Sequence, residues 1–308
     1  MVQLSGQRFL VTGGGGFIGG YVVEQLLRQG ALVRIFELPG KASRFASRAG
    51  VELVEGDIRR PADLRPAADG CAGVFHLAVL AINPSAQNPR ACLEINVDGT
   101  FNVFEAAREA GVRKIVFSSA SSVYGDTLEV MDETHPLGAR TIYGASKIAG
   151  EYFLRAFNAM YGLEYVILRY MNVYGPNAGF GLIDATLRRI LAGQPPIING
   201  DGSQSFDFVY VADVAGATVR AMESDVSDEV FNVGSGEEKT VREVVLALLE
   251  LTGSSLEPQF VDTPVPMVRR VGSSQKAARL LGWRAQVPFQ EGLRRVVEAQ
   301  SKAQRSSR

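Results

Sequence analysis

The chain has 308 residues, 46% of them hydrophobic, and 32 basic side chains against 33 acidic ones, for a formal net charge of −1. That length suits one large domain or two intimate ones, and the balanced charge gives no basis for binding nucleic acid or an anionic membrane. The cysteines Cys71 and Cys92 and the histidines His76 and His135 show no metal-ligand spacing, so no metal site is expected.

The first eight residues are mixed and carry no signal peptide, and no apolar run reaches membrane length; the expectation is a reduced, cytoplasmic protein. Residues 8–13 (RFLVTG) form a continuous apolar run closed by glycine, the pattern of a buried parallel strand. Residues 17–30 place Phe17, Val22, Leu26 and Leu27 on one helical face, and Gly30 ends that helix. Further strands are read at 31–37 (ALVRIFE), 51–57 (VELVEGD), 73–78 (GVFHLA), 112–119 (VRKIVFSS) and 164–170 (EYVILRY). Helices are read at 94–111 and 143–162 between them. Repeated strand–helix–strand order implies right-handed crossovers and an α/β fold with a doubly wound parallel sheet of Rossmann type.

The second half is less regular. Residues 200–215 read as a strand followed by a helix capped at Asp213, residues 229–236 as a short strand, and residues 240–253 as an amphipathic helix. Prolines 258, 264, 266 and 288 then break the pattern, and the residues from about Lys302 read as a frayed polar end. The expected organisation is a dinucleotide-binding domain over 1–171, with about 206–236 returning to it. A smaller α/β substrate domain is expected from 172–205 and 237–298, followed by a polar tail at 299–308.

Residues 12–19 (TGGGGFIG) join the first strand to the first helix. Glycines 14, 16 and 19 fit G-x-G-x-x-G, and glycines 13, 16 and 19 fit G-x-x-G-x-x-G. In either register the missing Cβ atoms allow a tight turn and let the backbone approach a pyrophosphate at a helix N-terminus. Glu37 ends the second strand about 20 positions on, where a carboxylate accepts from both adenosine ribose hydroxyls and repels a 2′-phosphate. NAD is therefore expected rather than NADP, with Arg34 and Arg44 the nearby cations that bear on the choice. Asp57, after the third strand, is positioned to reach the adenine amino group.

Tyr143 and Lys147 stand four apart at the start of a helix and share a face. A phenol ordinarily loses its proton near pH 10, so lowering its pKa by about 3 units requires roughly 4 kcal/mol of differential stabilisation. A lysine ammonium and an oxidised nicotinamide ring, both positive, supply it. A Tyr-x-x-x-Lys spacing alone is common; its company gives it meaning.

That company is TGGGGFIG, GDI, FHLA, NVDGTFNVFEAA, FSSASSVYGD, YGASK, LRYMNVYGP and GDGSQSFDFVYVADVA, in one order and spacing over about residues 8–285. The chain thereby resembles the extended short-chain dehydrogenases/reductases of the NAD-dependent nucleotide-sugar epimerase/dehydratase type, similar to UDP-glucose 4-epimerases. The resemblance implies retained NAD, a nucleotide-sugar substrate and a homodimer paired through residues 99–110 and 142–161. Carried over by position, Gly13, Gly16, Phe17 and Ile18 would line the pyrophosphate, and Glu37 the adenosine ribose. Asp57 and Ile58 would flank adenine, while Leu77, Ala78 and Val79 would run past the cofactor. Tyr143 would be the base and Lys147 its helper and a holder of the nicotinamide ribose. Tyr170 and Val173 would abut the nicotinamide, and Asn172 the substrate's diphosphate.

Four departures bear on the substrate. Ala120 stands where the family carries its catalytic Ser or Thr. Side chains two apart in an extended segment share a side, so Ser122 is the nearest replacement, with Ser119 and Ser121 as alternatives. Dehydratases of similar type carry Asp-Glu at the positions of Ser121 and Ser122, and decarboxylating relatives a glutamate at Ser122; this chain has neither acid. Phe206 replaces an arginine that pairs with the nucleotide diphosphate, removing a charge-assisted bond worth ~1.5–3 kcal/mol. Arg269, next to Arg270, matches a second phosphate-binding arginine, and Val79 and Leu80 make the wall after His76 unusually apolar.

The leading expectation is C4 epimerisation of a UDP-sugar through a transient 4-keto intermediate. The alternatives are an NAD-dependent dehydrogenase or reductase acting on a substrate without a diphosphate, and a non-catalytic NAD-binding regulatory protein.

Overall fold

The computed structural model describes residues 3–262 and 268–306; Pro264 and Pro266 lie outside them. The first half alternates as the apolar runs require. Strand β1 (Arg8–Thr12) leads into helix α1 (Phe17–Arg28), then come β2 (Leu32–Glu37), β3 (Val51–Glu55), α2 (Pro61–Ala68) and β4 (Gly73–His76). Two short helices, α3 (Ile82–Gln87) and α4 (Pro89–Cys92), precede a π-helical segment, Leu93–Gly99, that runs into α5 (Thr100–Glu109). Strand β5 (Lys114–Ala120), helix α6 (Ile142–Tyr161) and strand β6 (Glu164–Tyr170) complete this half.

The second half holds β7 (Asn172–Tyr174), α7 (Gly181–Leu191), β8 (Ile197–Asn199), β9 (Ser205–Tyr210), α8 (Val211–Glu223) and β10 (Glu229–Val233). It continues through β11 (Glu238–Thr240), α9 (Val241–Thr252), β12 (Gln259–Val261), β13 (Arg269–Arg270), α10 (Gln275–Leu280) and α11 (Phe289–Ser306).

Seven strands form one sheet in the order β10-β6-β5-β4-β1-β2-β3, every pair parallel. A parallel sheet is covered on both faces, which is why its strands read as unbroken apolar runs rather than alternations. One face packs Val22, Val23 and Leu26 of α1 with Val214 and Met222 of α8; the other packs Leu64 of α2, Phe104 of α5 and Leu154 of α6. The strand order reverses between β1 and β4. The crevice at their carboxyl ends is where ligands bind in such sheets.

A smaller sheet, β11-β9-β13 with β7 paired to β9, packs on α7, α9 and α11 around Leu187, Leu248, Phe289 and Leu293. The chain crosses from this sheet to the main one at Tyr210, so the return begins with α8 and not at residue 206. Asp213 does not cap α8, whose N-cap is Tyr210; its carboxylate accepts from Gln286 N (3.0 Å) and Val287 N (2.9 Å) and pins the chain before α11. The expected frayed end is helical instead. Helix α11 runs to Ser306, because Gln300 Nε2 donates to Asp184 Oδ1 (2.7 Å) and holds the polar stretch against α7. Among the described residues no helix is long and apolar enough to cross a membrane.

Candidate active site

The glycine loop lies at the reversal point. Gly13 has φ +73°, and a Cβ on it would stand 2.7 Å from Ala78 N, so the loop and the Leu77–Ala78 backbone touch. A Cβ on Gly19 would stand 2.1 Å from Gly13 O. A Cβ on Gly14 would also stand 2.9 Å from Ile35 Cγ2, so what distinguishes Gly13 from Gly14 is its positive φ and its contact with backbone. Helix α1 starts at Phe17 from Gly16, a residue with no side-chain oxygen to offer the first-turn N–H groups, and no acid occupies that turn. Phe17 and Ile18 therefore open a helix N-terminus suited to an anion.

Glu37, at the carboxyl end of β2, accepts from Gly15 N (3.2 Å) and Leu38 N (3.1 Å), which fixes its carboxylate at the loop's edge. Arg34 points away: its Nη1 donates to Ala67 O (2.9 Å) and Asp69 O (2.7 Å) at the end of α2. Arg44 Nη2 donates to Gly16 O (3.1 Å). The glycine cradle, the uncapped helix start and the placed carboxylate fit a dinucleotide without a 2′-phosphate.

Asp57 takes three side-chain contacts from Arg59, among them Nη2 to Oδ2 at 2.5 Å, and this hydrogen bond holds its carboxyl below the usual carboxylate range. It lines a charged surface cleft of about 560 Å³ with Arg60, Glu94 and Asp98, while neighbouring Ile58 is buried and its carbonyl accepts from Asn102 Nδ2 (3.0 Å).

Beneath the loop, His76 is enclosed between Thr12 Oγ1 (2.7 Å) and Thr100 Oγ1 (2.9 Å), and burial pushes it down to about 3, so it is neutral. Thr12 Oγ1 also accepts from Ala78 N (3.3 Å), and Val79 stays exposed beside it. Asn96, from the π-helical segment, holds Leu80 at both ends through its Oδ1 (2.7 Å) and Nδ2 (3.0 Å), and Nδ2 also reaches Ser146 Oγ (3.2 Å). The sequence reading passed over Asn96 because its role depends on a loop and a helix 16 and 50 residues away.

Helix α6 starts where Thr141 Oγ1 accepts from Gly144 N (3.0 Å). Gly144 follows Tyr143, and a Cβ on it would stand 2.6 Å from Ser122 O, so glycine lets the start of α6 close on the serine stretch. Lys147 is buried, with Nζ 2.7 Å from Ser118 O and 5.8 Å from the centre of the Tyr143 ring. Burial pushes Lys147 down to about 7, with Glu151 and Cys92 opposing the shift. Burial also raises the Tyr143 phenol above its ordinary value, with Cys92 adding to the rise.

The four serines separate by their partners. Ser118 Oγ donates to His76 O (3.0 Å) and Ser119 Oγ to Glu151 Oε1 (2.6 Å). Strand β5 ends at Ala120, and Ser121–Val123 form a turn of 3₁₀-helix, so the alternation that put Ser122 on Ala120's side has already stopped. Ser122 is brought inward by that turn, and its Oγ is buried with no hydrogen-bond partner among the described residues. Ser121 is buried beside it.

The expected substrate residues are scattered over the smaller sheet. Asn172 Nδ2 reaches Asp207 O at 3.5 Å, and Val173 packs half-buried against the main core. Tyr170 spends its hydroxyl on Thr218 Oγ1 (2.7 Å). Phe206 packs its ring on Phe208, with centroids 6.0 Å apart. Arg269 is engaged by Glu238, with Nε at 3.0 Å from both carboxylate oxygens and Nη2 at 2.8 Å from one, and its Nη1 donates to Leu128 O (2.9 Å). Arg270 reaches Asp126 at 3.5 Å and keeps its Nε buried, with no partner among the described residues.

Residues 9–234 match the model of the NAD dependent epimerase/dehydratase family. The chain is 36% identical over 310 residues to the UDP-glucose 4-epimerase of Mycolicibacterium smegmatis, covering 94% of this chain and 97% of the relative. Among solved structures it is similar to a UDP-glucose 4-epimerase from Thermotoga maritima with UDP-glucose (TM-score 0.91, 33% identity, 97% and 100% of the two chains). It is likewise similar to one from Thermus thermophilus in complex with NAD (TM-score 0.88, 35% identity, 96% and 100%).

Proposed function

Because the chain belongs to the NAD dependent epimerase/dehydratase family, we propose that it is an NAD-dependent epimerase that inverts C4 of a UDP-linked sugar, with Tyr143 as the base. One observation carries this reading. Tyr143 and Lys147 stand one turn apart at the start of α6, where Gly144 lets the helix close on the backbone of Ser122, whose hydroxyl is buried and unpartnered among the described residues, beside a cradle shaped for a dinucleotide. Gly13, Gly16, Phe17 and Ile18 would hold the pyrophosphate and Glu37 the adenosine ribose. Ile58 and Asp57 would flank adenine, Leu77–Val79 would run along the cofactor, and Tyr170 and Val173 would close its far end. NAD bound there would supply the hydride acceptor and donor for C4 of the sugar.

The chain's own residues move the proton. Ser122 Oγ, lacking an internal partner, is the hydroxyl that relays between the sugar's 4-OH and Tyr143, which accepts that proton and gives it back after the sugar turns. Burial keeps the phenol protonated until positive charge is near it. The Lys147 ammonium supplies part of that charge, and its buried position makes the charge count for more. Because Lys147 lies at about 7, its cationic form is present below that pH and lost above it, so kcat should carry an alkaline limb governed by Lys147.

The test is to incubate the purified protein with UDP-glucose and no added cofactor. Conversion to the C4 epimer, together with NAD among the small molecules released on denaturation, is expected. Net consumption of added NAD would overturn the reading. The alternative, a dehydrogenase or reductase of a substrate without a diphosphate, draws on two observations: the uncharged Phe206 and the Arg269 guanidinium already engaged by Glu238.

We also place the protein in the cytoplasm as a homodimer. Supporting the first are two buried free cysteines. Supporting the second is an apolar face on α5 and α6, where Tyr152 is 60% and Met160 69% exposed beside Phe101. Light scattering on Met160→Glu would report a monomer.

A further inference from the structure

Two turns of α6 beyond Tyr143 and one beyond Lys147 stands Glu151, fully buried. Its Oε1 accepts from Ser119 Oγ at 2.6 Å and from Arg169 Nε at 2.9 Å, and its Oε2 from Arg169 Nη2 at 2.6 Å. Arg169 is 2% exposed and lies directly across the sheet, its Cα in register with that of Ser119. Lys147 donates to Ser118 O, one residue before Ser119. Positions i and i+4 of the catalytic helix therefore clasp two consecutive residues of β5, one through the backbone and one through a side chain. Arg169 extends the clasp: Nη1 donates to Tyr124 OH (2.9 Å), Tyr124 OH donates to Asn232 Oδ1 (2.6 Å), and Asn232 Nδ2 donates to Met131 O (3.0 Å). A buried ion pair is a poor device for stability, since apolar residues of similar volume commonly do as well. A buried pair with every donor directed asks for another account.

We propose that Glu151 is a positioning residue for the reaction. Through Ser119 and Arg169 it fixes the strand end that receives Lys147, and it supplies the counter-charge that keeps Lys147 a cation in its buried site. This rests on the reading of Tyr143 and Lys147 as the catalytic pair. The groups facing Lys147 are Tyr143 and Glu151 on its own helix, Cys92 at the end of α4, and neutral His76 on β4, while β5 offers the Ser118 carbonyl and the Phe117 ring. Those facing Glu151 are Lys147, Arg169 on β6 and Tyr165 at the start of β6. Glu151 is thus the one acid among the groups named around the ammonium. The same contacts commit Ser119 to Glu151, which leaves the relay to Ser122 or Ser121.

Glu151→Gln keeps the size but removes the charge and turns one of the two acceptor oxygens into an NH2 donor. Its alkaline limb in kcat is expected about 1 pH unit lower than in the wild type, because Lys147 without its counter-charge loses its proton sooner. The pH at which calorimetric NAD⁺ affinity breaks should move by the same amount, a readout independent of turnover. Glu151→Asp retains the charge and is expected to return the limb to its wild-type position. Its kcat should stay several-fold low, because the shorter carboxylate no longer spans Ser119 and Arg169. Ser119→Ala leaves every charge in place and so gives an arm that does not depend on a buried charge change folding; a several-fold lower kcat with an unmoved limb and unmoved KM is expected. A wild-type limb in Glu151→Gln, or wild-type kcat in Ser119→Ala, overturns the proposal. Tyr143→Phe, run alongside, separates the two levels: full turnover there sinks the catalytic pair itself, whereas a dead Tyr143→Phe beside unaltered Glu151 and Ser119 variants sinks only the positioning role.

Discussion

The proposed cofactor side and the proposed substrate side of the crevice are built on opposite plans. On the cofactor side the main chain is brought close and left open, at Gly13 against Ala78, at Gly19 against Gly13, and at a helix start with no capping side chain. On the proposed substrate side Arg269 and Asp207 are already engaged within the protein. Glu238 holds Arg269, and Asp207 accepts from Ser235 N (2.8 Å), Ser235 Oγ (2.7 Å) and Gly236 N (3.0 Å). Side-chain networks can be rewired with little change of fold, and they are where a change of substrate would be written.

The largest effect expected to break this contrast lies where the two sides meet. Tyr143→Phe should lower kcat by ~10²–10⁴-fold, the usual worth of a positioned acid–base group, while leaving NAD binding almost intact. Equal loss of cofactor would show the hydroxyl belongs to the cradle. Ser122→Ala should cost roughly 10²-fold in kcat. Its second readout is sharper: a buried hydroxyl with no partner contributes nothing to the folded state, so its removal should leave the melting temperature unchanged or raise it. A drop in stability would mean that Ser122 has a structural bond and that Ser121 or Ser119 merits the role.

Gly19→Ala tests the cradle alone. With 2.1 Å between the added Cβ and Gly13 O, the loop must shift, at about 2 kcal/mol, and NAD affinity should fall roughly thirtyfold with kcat at saturation little altered. Unchanged affinity would show that the Gly13–Gly19 approach serves packing only.

How much could be read in advance follows the same division. The parallel strands announce themselves because both faces are buried, and the glycine loop and the Tyr143–Lys147 pair because their function is a fixed spacing along one segment. Glu151 had such a spacing, four beyond Lys147, yet its partner Arg169 sits on another strand, and an acid inside a helix ordinarily reads as a solvent-facing charge. The smaller sheet was illegible for a physical reason. Its strands β7, β11 and β13 are two or three residues long, as are β8 and β12 of the separate two-stranded sheet, so no alternation can form. Arg269 could be matched by position but not by state, since Glu238 lies 31 residues away and reaches it only through strand pairing with β9. The serine stretch misled through geometry: strand alternation was applied two residues past Ala120, where the strand turns into 3₁₀-helix.

The smallest expected effect is also the one that most directly tests the substrate side. Phe206 is paired in register with Lys239 on one flank and Arg270 on the other, and Arg270 has a buried Nε without a partner among the described residues. Phe206→Arg removes an aromatic contact with Phe208 and places a second guanidinium beside the first. If the substrate carries a diphosphate, that anion can take both, and a charge-assisted bond at the low end of its range, ~1.5 kcal/mol, lowers KM about tenfold. If it carries none, two like charges at strand spacing have nothing between them, and the variant should lose stability with no gain in KM for any UDP-sugar. Steady-state KM and a melting curve on the same preparation therefore distinguish a diphosphate site that has lost one arginine from a site that has turned to a different substrate.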